Sequence, residues 1–247
     1  MSLKAALAAV DAFAMTAVVM PGAVPVEGRA PASSRSVARA TILRLAALVV
    51  GMFLVPNLAI IGLHLLAQRQ APAPSMSLPI KNFAEVDERL WRGAAPTRAG
   101  YEALAAHGVT TVIDLRAEDD LHVDEAWLQS LGITRIHLPL RDGQAPGADL
   151  VSTFLADVGR SKGRAFVHCG AGVGRTGTMS AAYLVATGQA TPKQALRRNL
   201  SVGPPSLEQI SFSAGLTPTS MTKPAPLMVA ISRTLDAPRR VWTTLRD

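Results

Sequence analysis

Arg164-Ala-Phe-Val-His-Cys169, followed by Gly170-Ala-Gly-Val-Gly-Arg-Thr-Gly177, is the stretch that decides the fold. Its first six residues have the apolar, β-branched character of a buried strand. The glycines then break the strand, and a helix is predicted from Thr176 to about Thr187. Between a strand end and a helix start, unpaired backbone N–H groups and the positive end of the helix dipole make an anion site. Gly170, Gly172 and Gly174 let the loop curl, so that the amides of Gly170, Ala171, Gly172, Val173, Gly174 and Arg175 can converge on one point. Cys169 is then expected at the floor of the cradle, where the same field favours thiolate over thiol. Arg175, planar and always charged, can bind two phosphoryl oxygens at once.

The surrounding chain alternates strand and helix. A short strand is expected at 90–92, then a helix capped by Thr97 and ended by Gly108. Strands follow at 109–115 and 134–140, separated by a helical stretch at 119–131 that Gly132 terminates. An amphipathic helix is expected at 149–158, and two short helices beginning at Thr191-Pro192 and Ser206 complete the body. This order predicts an α/β fold with a mostly parallel central sheet flanked by helices.

A formal charge of +7 invites a nucleic-acid reading, but the excess lies in the wrong places. Residues 1–70 carry a surplus of four positive charges and 215–247 a surplus of three, whereas 71–214 hold 14 basic and 14 acidic residues. The neutral body excludes a basic nucleic-acid face there. One cysteine can form neither an internal disulfide nor a C-x-x-C pair, and His64, His107, His122 and His137 show no metal-ligand spacing. No metal and no cofactor are therefore expected.

Gly172-Val-Gly-Arg-Thr-Gly177 also fits G-x-G-x-x-G, but a dinucleotide fold needs an acidic residue about 20 positions later. Between Asp157 and Glu208 there is none, and every formal charge in that stretch is positive. A Walker loop is excluded because the lysine of G-K-[ST] is missing. H-C-x5-R-T at residues 168–176 resembles the phosphate loop of the cysteine-dependent protein tyrosine phosphatases, and specifically the atypical dual-specificity enzymes. The resemblance extends over roughly 80–213. Residues 82–97, NFAEVDERLWRGAAPT, look like the opening strand of those enzymes, and 112–120, VIDLRAEDD, are similar to their second strand and its loop.

That resemblance implies hydrolysis of a phosphorylated protein or another phosphomonoester through a phosphocysteine on Cys169. The loop amides and Arg175 would bind phosphate, Thr176 would stabilise the thiolate, and His168 would orient the loop from behind. A thiolate already ionised needs no base. The departing oxygen does need a proton. Asp142, in LPLRDGQAP, sits where the family keeps its general acid on a mobile loop, with Gly143 and Gly147 giving freedom; Asp149 is the fallback, read as a helix cap. Where classical tyrosine phosphatases place a water-positioning glutamine, this chain has Pro205, and only Gln209 remains. The loop also lacks the lysines of relatives that hydrolyse inositol phosphates. Arg116, Glu118 and Asp120 read as solvated rim charges. A phosphate-binding pseudoenzyme and a rhodanese-type sulfurtransferase are the competing readings.

Residues 45–67, LAALVVGMFLVPNLAIIGLHLLA, contain no formal charge and as a helix span about 34 Å, enough to cross a bilayer. Arg29, Arg35, Arg39 and Arg44 precede the run, whereas Arg69 and Lys81 follow it. The positive-inside rule then keeps the amino end cytoplasmic and faces the body outward. A cleavable signal peptide is the alternative, favoured less by a run this long. The expected organisation is a basic flexible segment at 1–44, a single transmembrane helix at 45–67, a proline-rich linker at 68–80, a phosphatase domain at 81–213 and a tail at 214–247. The apolar residues of that tail fit docking on the body, a membrane surface or disorder.

Overall fold

The computed structural model describes residues 34–73, 75–118 and 124–237. Expectations for 1–33, for Asp120 and His122, and for the last ten residues lie outside these. Contacts divide the chain into two compact units, Met1–Leu45 and Ala46–Asp247. The described part of the first is the beginning of helix α1. The second holds the α/β body.

Helix α1 runs over Ser34–Arg69, so it starts within the segment expected to be flexible and carries Pro56 inside it. Its stretch Ala38–Arg69 is long and apolar enough to span a membrane, with a mean hydropathy of 2.3. Most of its large side chains are exposed, but Ile60 and Ala67 are buried, and His64 Nδ1 lies 2.6 Å from the Leu200 carbonyl.

The body is an α/β sandwich around a five-stranded sheet of order β1-β2-β5-β3-β4. Its strands are β1 (Ala84–Glu85), β2 (Leu90–Ala94), β3 (Val109–Arg116), β4 (Thr134–Leu140) and β5 (Arg164–Cys169). Only β1 is antiparallel, pairing with β2 at the edge; β2–β5, β5–β3 and β3–β4 are parallel. The central strand is thus the one that ends in Cys169.

Alternation along β3 and β5 sends side chains to opposite faces. Ile113, Leu115 and Val167 join Phe154 and Met179 in one core, while Val112 and Phe166 join Trp91, Tyr101, Leu104 and Leu128 in the other. Each large apolar side chain buried this way contributes roughly 1.5–3 kcal/mol. Because both faces are covered, β3 and β5 read as continuous apolar runs rather than alternating ones.

The helices are α2 (Arg98–Ala106), α3 (Glu125–Ser130), α4 (Ala148–Arg160), α5 (Gly174–Ala186), α6 (Pro192–Val202), α7 (Leu207–Ala214) and α8 (Pro226–Leu235). Thr97, Thr191 and Ser206 cap α2, α6 and α7, the last two through capping boxes with Gln194 and Gln209. Three expectations change. The described helix before β4 begins only after its cap Asp124. Gly147, not Asp149, is the N-cap of α4, and Asp149 lies in the first turn. The segment after α7, left open between docking, a membrane surface and disorder, forms α8.

Candidate active site

Cys169 closes β5 between Ala94 of β2 and the end of β3, where Asp114 pairs with His168. The chain then loops through 170–173 and enters α5 at Gly174, two residues before the predicted start, so Arg175 belongs to the first helical turn. The sulfur-bearing residue is 2% exposed.

Four successive loop carbonyls are tied from behind. Ala95 N–H donates to Gly170 O at 3.1 Å, Asn82 Nδ2 to Ala171 O at 2.8 Å, and Arg92 Nη2 to Gly172 O at 2.7 Å and Val173 O at 3.4 Å. Peptide planes pinned by their oxygens turn their N–H groups the other way. Among the described residues, the amides of Gly170 through Arg175 donate to no protein acceptor. Unpaired donors at the start of a helix can hold an anion.

The loop has no slack against this backing. Gly172 adopts a positive φ of 74°, and a Cβ there would stand 2.3 Å from the backbone of Gly93. Asn82, itself left-handed at φ 56°, aims its amide at the loop from the turn before β1. A Cβ on Gly177 would meet Asn199 Oδ1 at 1.5 Å, so α5 and α6 close together just after the loop.

Two guanidinium groups flank Cys169. Arg92 is buried, which pushes its pKa down to about 10, partly offset by the negative charge available at Cys169. It remains a cation at neutral pH. Arg175 is also largely buried, but its partners outweigh that burial and hold it more strongly protonated than an ordinary arginine. Glu118 takes Nη1 at 3.0 Å and Nη2 at 2.9 Å, Leu140 O takes Nη1 at 3.1 Å, and Asp142 Oδ1 stands 3.2 Å from Nε. Glu118 therefore positions the arginine, a role that exposed loop charge does not advertise in sequence.

Asp142 follows β4 with its side chain 62% exposed, and the structure brings it to the same arginine. The next three residues are fastened to the start of α7. Ser206 Oγ donates to Gly143 O at 2.7 Å, Gln209 Nε2 to Gln144 O at 3.3 Å, and Ala145 N–H to Glu208 Oε1 at 2.9 Å. The expected free loop is thus a strapped one. Gln209 also accepts from Ser206 N–H, so its amide is committed to the α7 cap and this strap. Arg233 of α8 binds the other oxygen of Glu208 at 2.9 Å. A cleft of about 170 Å³ opens over this region, lined by Asp142, Ala171, Val173, Gly174, Pro205 and Gln209 among others. A larger cavity of about 560 Å³ lies on the other side of the loop, bounded by Arg92, Gly177 and Asn199.

Behind the loop His168 is fully buried, with Nδ1 at 3.3 Å from Cys169 O and 3.8 Å from Asp114 Oδ1. Burial pushes its pKa down to about 4, against the pull of Asp114. Asp114 is also buried, yet Arg116, His168 and Arg135 hold its carboxyl well below the usual range. Thr176 Oγ1 is buried and has no hydrogen-bond partner. Among the described residues, no group of three or more His, Cys, Asp and Glu side chains could hold a metal ion.

His168 makes acid the weak side of this protein. The unfolded chain takes up the imidazole proton near pH 6.5 and the folded chain only near 4, so the stabilisation is complete above 6.5. It falls away between 6.5 and 4, by about 3 kcal/mol in all. Thermal melts in mild detergent should drop steadily across that window, and His168→Gln should flatten the slope; an equally steep slope in the variant would contradict this.

Probable NAD kinase 2, chloroplastic, of Oryza sativa subsp. japonica is 37% identical over 103 residues, which are 38% of this chain and 10% of that protein. Dual specificity protein phosphatase 12 of Rattus norvegicus is 31% identical over 140 residues, 56% of this chain and 41% of that protein. The chain thus spans less than half the length of these relatives. The core catalytic domain of the PP-IP phosphatase SIW14 from S. cerevisiae, solved with citrate, aligns at a TM-score of 0.49 with 16% identity over 57% of this chain and 88% of that one. The family described as DSP-PTPase phosphatase fused to NAD+ kinase matches residues 64–215. With that match covering more than half of its length, around a strand, cysteine loop and helix of this geometry, the chain belongs to that family of the cysteine-dependent protein tyrosine phosphatase superfamily.

Proposed function

We propose that the chain hydrolyses phosphomonoesters, with a phosphorylated protein as the substrate class, through a phosphocysteine on Cys169. The observation that carries this is the run of unpaired amides from Gly170 to Arg175, with the carbonyls of Gly170, Ala171, Gly172 and Val173 tied to the residues behind the loop. Such donors are fixed before substrate arrives, so stabilising the transferring group costs no reorganisation. Arg175 completes the site by exchanging part of its carboxylate contacts for phosphoryl oxygens.

In the first step the Cys169 thiolate attacks phosphorus while the bond to the ester oxygen breaks, and Asp142 gives its proton to that oxygen. In the second, water attacks phosphorus, the Asp142 carboxylate takes the water's proton, and Cys169 leaves as thiolate. Thr176 Oγ1, buried and without a partner, is available to donate to the sulfur. His168 stays neutral at pH 7 and acts by holding the end of β5. Glu118 and Asp142 at the mouth disfavour substrates crowded with phosphates.

Replacing Asp142 with asparagine tests the acid. On an alkyl phosphate, whose leaving oxygen needs a proton, kcat should fall by about 10²–10⁴. On p-nitrophenyl phosphate, which releases a stable phenolate, the fall should be much smaller. Equal, unchanged rates on both would remove Asp142 from this role. The pseudoenzyme reading requires binding without turnover of either compound, and the sulfurtransferase reading requires consumption of thiosulfate.

A further inference from the structure

Helix α8 has two unlike sides. Its inner side is fixed to α7: Ser232 is 2% exposed, Arg233 binds Glu208, and Asp236 Oδ2 accepts from Leu207 N–H at 2.9 Å. Its outer side carries Leu227, Met228 and Ile231, exposed at 71%, 45% and 43%, together with exposed Ala230 and Thr234. No charge lies on that outer side. Among the described residues these three are the exposed large hydrophobics outside α1.

The position of α8 says what covers it. Asn57 Nδ2 of α1 donates to the Leu235 carbonyl at 3.4 Å and to its own Phe53 carbonyl at 2.8 Å. The carboxyl end of α8 is thus seated against α1 at Asn57, the first polar side chain after Arg44. Because Ile60, His64 and Ala67 pack on the body, the part of α1 left for the bilayer is not 45–67 but Ala38 to Asn57, 20 residues and about 30 Å of helix, the thickness of a hydrocarbon core. A span that ends at Asn57 emerges beside α8. Lys223 precedes α8, and Arg239, Arg240 and Arg246 follow it in the sequence, cations suited to an anionic surface.

We propose that α8 lies in the bilayer interface beside the anchor, apolar side down and immersed by about 5–10 Å. The proposal rests on reading α1 as membrane-inserted. Through Arg233 and Glu208 the same helix is one hydrogen bond removed from Ala145 in the Asp142 loop, so the interface holds the site at a set height and orientation.

The test uses the full chain carrying Cys169→Ser, with one fluorophore attached at Leu227→Cys, Ile231→Cys or, as a control, Glu102→Cys on exposed α2. Each is reconstituted into phosphatidylcholine–phosphatidylglycerol vesicles, with and without nitroxide-bearing lipid. Quenching at 227 and 231 at least twofold stronger than at 102, with blue-shifted emission, supports the proposal. Quenching no stronger than at 102, in chains that alkaline carbonate fails to extract, overturns it while leaving the anchor intact. Extraction by carbonate overturns the anchor and the α8 placement together. Concentration-dependent self-quenching at 227 without a nitroxide effect would assign the face to a second copy instead.

Discussion

Cys169→Ser is expected to abolish turnover, with kcat on p-nitrophenyl phosphate falling by more than about 10⁴. A thiolate attacks phosphorus without a base, whereas a serine hydroxyl there needs one to take its proton. The site offers none. His168 is the nearest imidazole, but it is sealed behind the strand, and its Nδ1 faces the Cys169 carbonyl and Asp114. Asp142 belongs on the leaving-group side and is already engaged with Arg175. The variant should still bind inorganic phosphate, because the loop amides, Arg92 and Arg175 are untouched. Titration calorimetry with phosphate therefore separates loss of chemistry from loss of fold. A serine variant that still hydrolyses the ester would show that the sulfur is not the nucleophile.

How much of this was legible in the sequence depended on how local the cause was. The strand, loop and helix around Cys169 could be read directly, since strand composition, glycine placement and the Cys-to-Arg interval act within a dozen residues. The same held for the caps at Thr97, Thr191 and Ser206. What escaped came from far along the chain. Asn82 reaches Ala171 and Arg92 reaches Gly172 across a turn and a strand that only the sheet order brings beneath the loop. Arg92 read only as the end of a short strand, but β2 is interior, because β1 covers it. Glu118 read as a solvated rim charge, yet it contacts Arg175, and Glu208, in the opening turn of α7 and 1% exposed, joins the Asp142 loop to α8. Glycines after Asp142 suggested freedom. The three bonds from α7 could not be inferred from composition, since they depend on how α7 packs beside α5.

Arg175→Lys should lower kcat/KM on aryl phosphates by about 10²–10³ although the positive charge is kept. The guanidinium is held in one plane by four contacts: both oxygens of Glu118, the Leu140 carbonyl and Asp142. That plane sets where its remaining donor directions meet the phosphoryl group. A lysine ammonium is a point charge on a flexible stem and cannot satisfy Glu118 and Asp142 while presenting a fork to phosphate. Leu140 O, buried with the arginine, would lose its donor as well, at roughly 1–3 kcal/mol. Glu118→Gln should act in the same direction but more weakly, because it keeps a hydrogen-bond acceptor while removing the charge that holds the guanidinium. If kcat falls with KM nearly constant, the arginine acts mainly on the transition state; if KM alone rises, it serves only to bind. A lysine variant of wild-type activity would mean that charge suffices and that the planar arrangement built by Glu118, Leu140 and Asp142 has no catalytic part.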